Sequence, residues 1–166
     1  MSDVNDVSVL AGLPPGARIL GFDLGTKTIG LAMSDVERRL ASPLETLARG
    51  KFTQDAERIR LIVERFAIGG FVLGLPLNMD GSEGPRAQAT RAFARNLARV
   101  IPLPAAFWDE RLSTAAVTRS LIEQDASRTK RAAVVDRMAA AYILEGALGR
   151  LRLAINSERT ELRNTT

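Results

Sequence analysis

Apolar residues fall along this chain in two rhythms. Short runs such as Ile19 to Leu24 and Phe71 to Leu75 are bounded by glycine or proline, as buried strands are, whereas longer stretches place apolar residues three and four apart. In chain order this predicts strands at 18–24, 28–34 and near 43–47, a helix over 53–67, a strand at 70–75 and a helix over 83–101, then a strand at 104–109 and helices over 113–125 and 130–152. Short glycine-containing links make the first strands antiparallel, while the later strands alternate with helices and so pair in parallel. The expectation is one α/β domain over residues 17–154, a mixed five-stranded sheet with helices on both faces. In such sheets ligands collect beyond the carboxyl ends of the central parallel strands. Residues 1–16, closed by Pro14-Pro15-Gly16, read as a flexible leader, and the polar stretch 155–166 reads as a disordered tail.

One position breaks the apolar rhythm. Asp23 lies inside the strand-like run Ile19 to Leu24, where an unpaired carboxylate costs several kcal/mol of desolvation unless a cation or hydrogen-bond donors meet it. Gly25 permits a tight turn directly afterwards, which sets Asp23 near the mouth of a hairpin. A turn-capping aspartate would fit the same place.

Composition narrows the chemistry. The 166 residues contain no histidine and no cysteine, which removes Ser-His-Asp and Cys-His catalysis, Cys/His zinc sites and disulfides. An enzyme built from this chain must work with carboxylates, Lys, Arg, hydroxyls or an oxygen-bound ion, and carboxylates favour magnesium or manganese. The 46% hydrophobic and 25% charged shares are those of an ordinary globular protein. No apolar run approaches the roughly 20 residues of a membrane span, so a cytoplasmic location without membrane contact is expected. Of 23 basic residues 20 are arginine, the better bidentate phosphate ligand, although a general preference for arginine codons gives the same count.

Further candidates lie at the ends of the predicted strands. The loop Asn78-Met79-Asp80-Gly81-Ser82-Glu83-Gly84 follows a strand and offers glycines and amides to a phosphate, or caps the next helix through Ser82 or Asp80. Asp109 and Glu110 end another strand, and only one of them can face the cleft of Asp23. Glutamate's longer arm favours Glu110 as the ligand, leaving Asp109 to a local backbone bond. Asp136 heads the stripe Ala140, Ile143, Ala147 and Leu151, a core-facing position where a carboxylate needs a partner, either the other acids or Lys130 and Arg131. Three converging carboxylates repel one another, a cost that divalent ions remove while activating water for phosphodiester displacement. Arg91, Arg95 and Arg99 recur every four residues, which suits either a phosphate backbone or a solvated helix face.

Taken together, four blocks resemble the RuvX/YqgF family. They are Gly21-Phe22-Asp23-Leu24-Gly25-Thr26-Lys27-Thr28-Ile29-Gly30, then Gly74-Leu75-Pro76 with Asp80-Gly81-Ser82, then Asp109-Glu110-Arg111-Leu112-Ser113-Thr114, then Lys130-Arg131 with Asp136 and Ala139 to Leu144. The resemblance spans residues 18–152 and implies an RNase H-like fold with pre-16S rRNA nuclease or Holliday-junction resolvase activity. It implies Asp23, Glu110 and Asp136 as the acidic, metal-binding site. That family often has Arg where Thr28 stands and Gln where Glu145 stands. On this reading Lys27, Asn78, Arg91, Arg95, Arg99, Arg111, Lys130 and Arg131 are the expected substrate contacts. The partner is structured RNA or branched DNA, and the chain is a monomer or a non-covalent homodimer.

Two other classes compete. The phosphate loop of actin, sugar kinases and Hsp70 also reads Asp-x-Gly-Thr, as at Asp23 to Thr26, but that class needs two lobes and a second loop. A non-catalytic module binding nucleic acid or a transcription factor is the other, against which an intact acidic trio speaks.

Overall fold

The computed structural model describes residues 4–112 and 128–165, with the backbone alone for 128–133. Strands β1 (Arg18–Leu24), β2 (Thr28–Ser34) and β3 (Ala41–Ala48) precede helix α1 (Phe52–Phe66) and strand β4 (Ile68–Leu75). Helix α2 (Pro85–Val100), strand β5 (Ala105–Asp109) and a long helix α3 (Arg128–Asn164) follow, with 3-10 turns at Ser8–Leu10 and Glu110–Leu112. The sheet order is β3-β2-β1-β4-β5. β1 pairs antiparallel with β2 and β2 with β3, while β4 is parallel to both β1 and β5. No helix among the described residues is long and apolar enough to cross a membrane.

Each central strand is apolar on both sides because the sheet is covered on both. On one face Leu20, Phe22, Leu31, Phe71 and Leu73 pack beneath Ile59 of α1 and Phe93 and Leu97 of α2. On the other, Ile19, Ala32, Val72, Ala106 and Trp108 pack beneath Ala140, Ile143, Leu144 and Leu148 of α3. The alternation of side chains along a strand thus divides two cores.

The two ends of the chain differ from their expectation. Residues 4–16 of the expected leader pack on the domain: Val7 and Leu10 are 3% and 1% exposed and join the core under α3. Leu10 occupies the space that a side chain on Gly70 would need, its Cδ2 lying 2.6 Å from that hypothetical Cβ. Asn5 donates its N–H to Phe107 O at 2.9 Å, and its Oδ1 accepts from the Asp109 N–H at 2.8 Å. The leader therefore satisfies the outer backbone of β5, an edge strand that would otherwise be open. The tail is helical rather than disordered, since α3 runs to Asn164. Ile155 is its last residue packed on the core, and from Asn156 onward it is exposed. Ser157 and Thr160 turn their hydroxyls back to the carbonyls of Leu153 and Asn156, so these polar side chains bond to the helix itself. The helix expected over 113–125 lies outside the described residues.

Candidate active site

Asp23 is the penultimate residue of β1, on the face that carries Ile19 and Gly21 toward α3. It is 3% exposed. Its partner across the antiparallel ladder is Gly30 of β2. A Cβ on Gly30 would fall 2.1 Å from the carbonyl oxygen of Asp136, so α3 lies directly on the β2 backbone here. Only glycine permits that approach. Asp136 Oδ2 accepts a short hydrogen bond from Thr28 Oγ1, two residues back on the same face. Thr28 also closes the β1–β2 turn, its carbonyl accepting the Gly25 N–H at 2.8 Å.

On the other side of Asp23 the parallel register pairs Phe22 with Leu73, which brings Gly74 of β4 level with Asp23. A Cβ on Gly74 would lie 2.8 Å from Glu110 Oε1, so the Glu110 side chain crosses β4 at this point. Asp136, Asp23 and Glu110 therefore form a row over β2, β1 and β4, whose spacing is about 4.8 Å per strand. Asp109 is turned to the opposite face. Both its carboxylate oxygens bond Arg111, at 2.7 Å from Nη2 and 3.1 Å from Nε, and Oδ1 also accepts the Arg111 N–H. The Arg111 guanidinium holds the Asp109 carboxyl below its ordinary pKa, against an opposing effect of burial.

The row is all oxygen, which suits a hard divalent ion. As the side chains lie, no three acids among the described residues are gathered closely enough to hold one ion together. The donor chemistry fits, and Asp23, central in the row, has one acid on either side.

Residues 17–150 match the family model described as RuvX: Holliday junction resolvase. The chain belongs to the RuvX family. A relative from Methylocella silvestris is 63% identical over 150 residues, covering 90% of this chain and 92% of the relative. One from Beijerinckia indica subsp. indica is 66% identical over 139 residues, 84% of each chain. Both carry the name "Putative pre-16S rRNA nuclease". Among solved structures, Thermus thermophilus RuvC in complex with a Holliday junction substrate superposes with a TM-score of 0.51 at 14% identity, covering 81% of this chain and 96% of that one. This RuvX-family chain therefore has the RuvC-like, RNase H-type fold.

The other candidates whose side chains are described are not gathered at the acid row. Lys27 is exposed on the β1–β2 turn, at the same sheet end as Asp23. Asn78 folds its own loop, with Nδ2 bonded to Ser82 Oγ at 3.0 Å and its N–H to Ser82 O at 2.9 Å. Ser82 and Asp80 bond each other and not α2, whose N-cap is Gly84 without a side-chain cap. Arg111 ties the Met79 carbonyl to Asp109. Arg91 is turned inward, paired with Glu83 and 4.8 Å above the Phe107 ring, whereas Arg95 and Arg99 are exposed. All three sit on α2, across the sheet from the acids. The side chains of Lys130 and Arg131 lie outside the described residues.

Sequence reasoning overlooked Thr28 as the partner of Asp136. It also overlooked the three glycines, Gly21, Gly30 and Gly74, that let α3 and Glu110 approach the sheet. A glycine in the middle of each predicted strand was the available signal.

Proposed function

We propose that this chain is a metal-dependent nuclease that hydrolyses phosphodiester bonds of structured nucleic acid in the cytoplasm. Its proposed substrate is the 5′ end of pre-16S rRNA, the substrate class in its relatives' name. The observation that carries the reading is the row Asp136, Asp23, Glu110 at the carboxyl end of β1, in a chain without histidine or cysteine. Magnesium or manganese held by these carboxylates would supply the water activation and charge neutralisation of phosphodiester hydrolysis. In this reading Asp23 would hold the ions together with Asp136 on one side and Glu110 on the other. Thr28 orients the Asp136 carboxylate, and the close approach of α3 to Gly30 sets that carboxylate beside β2.

A second reading, resolution of four-way DNA junctions, is favoured by the description of the family itself. The experiment that separates the two is sequencing of the ends released from a structured precursor rRNA and from a four-way junction under one set of manganese or magnesium conditions. Cleavage of the precursor at the 5′ side of the mature 16S sequence, with the junction left intact, is the expected result. Symmetric nicks in the junction alone would select the second reading.

A further inference from the structure

On the side of the β1–β2 turn away from the acid row, a pocket opens between β1, the end of β3 and the start of α2. Its lining includes Leu24, Gly25, Thr26, Arg49, Arg86 and Thr90. Its volume is about 50 Å³. That is several times the roughly 10–15 Å³ needed by one ordered water, and room for a tetrahedral oxyanion. Two guanidinium groups line it and no carboxylate does.

We propose that this pocket binds a backbone phosphate of the nucleic-acid strand whose neighbouring phosphodiester lies at the acid row. The proposal rests on the nuclease reading and adds a second point of attachment to it. Leu24 directly follows Asp23 in β1, so pocket and acid row share one sheet end and are separated only by the turn at 25–27. A strand passing over that turn, beside the exposed Thr26 and Lys27, meets positive charge on both its top and its far side.

The arginines are set for the task in different ways. Arg49 is pre-oriented: Nη1 donates to Gly25 O at 2.7 Å, its N–H donates to Lys27 O at 2.8 Å, and its guanidinium lies 5.7 Å above the Phe93 ring. Among the described residues its Nε and Nη2 make no hydrogen bond, and these are two corners of the fork that holds phosphate bidentately. Little side-chain entropy remains for Arg49 to lose on binding. Arg86 is exposed and has no ion pair among the described residues. It stands in the first turn of α2, where no acidic residue offsets the positive end of the helix dipole.

The test is binding of a fluorescent structured RNA fragment in excess EDTA, so that turnover plays no part, as a function of salt. Arg86→Ala should weaken binding about tenfold, the loss of one charge-assisted phosphate contact. It should also flatten the slope of log K against log salt by about 0.7–0.9, while leaving the melting temperature unchanged. Arg49→Lys keeps the charge but removes the fork, and should weaken binding with the salt slope preserved. Wild-type affinity and slope in Arg86→Ala would overturn the proposal and leave the nuclease reading intact. Failure of the wild type to bind any nucleic acid would overturn both. Inorganic phosphate competing at micromolar concentration would mark a small-anion site and overturn the assignment to a strand.

Discussion

Asp109 and Glu110 are neighbours in the chain, yet β5 and the turn after it send them to opposite faces of the sheet. Asp109 is 4% exposed and holds Arg111, which in turn holds the Met79 carbonyl, so it ties the loop after β4 to the end of β5. Asp109→Asn should cost about 1–3 kcal/mol in urea unfolding, because the buried Asp109 carboxylate loses its charge-assisted bonds to the more exposed Arg111. The Asp109 carboxyl is depressed by Arg111, so its contribution is complete above its unfolded pKa of about 3.9 and is lost as pH falls through the lower folded value. The Asn variant should therefore lose less stability than wild type on acidification below pH 4. Glu110→Gln should behave in the opposite way, keeping its melting temperature and losing metal-dependent turnover. Stable and inactive Asp109→Asn, beside active Glu110→Gln, would reverse the two roles. Thr28 belongs to the same scale. Thr28→Val should weaken manganese binding about tenfold or more in calorimetry, with Thr28→Ser restoring it, because an oriented carboxylate binds better than a free one. Equal binding by Val and Ser variants would reduce Thr28 to a packing residue.

At the scale of elements, the glycines under α3 set how close helix and sheet can come. Gly30→Ala would put a Cβ 2.1 Å from a helix carbonyl, which no rotamer change can relieve, so it should destabilise the fold by several kcal/mol. Gly12→Ala, with nothing within 4 Å, is the neutral control in the same unfolding measurement. All five described strands and three helices were legible in the sequence, since the central strands, covered on both faces, read as short continuous apolar runs and each helix has one apolar face. The leader was not, because Val7 and Leu10 are too few to show a period and take their meaning from Gly70 and β5, distant in the chain. The tail was misread for a related reason: polar composition excludes a core but not the continuation of a helix already anchored by Leu148 and Leu151. Leu10→Ala should cost about 2–5 kcal/mol, which a truly flexible leader would not show.

At the scale of the molecule, Asp23 announced itself as a carboxylate in an apolar run, and family membership follows from the match over residues 17–150. The arginine stripe shows what local pattern cannot convey. Its period was correct for a helix face, but Arg91 is consumed by Glu83 and Phe107, and α2 covers the sheet face opposite the acids. Which side a helix takes is decided by the crossover connections, not by its own spacing. The proposed function rests on one central claim, that hydrolysis here depends on divalent ions held around Asp23. The most direct measurement is cleavage of a structured precursor rRNA by wild type and by Asp23→Asn, with manganese or with excess EDTA, alongside binding of the same RNA. The account predicts that wild type cuts only with metal, and that Asp23→Asn binds RNA as wild type does while losing most of its turnover. Equal cleavage in EDTA, or full activity in Asp23→Asn, would contradict it.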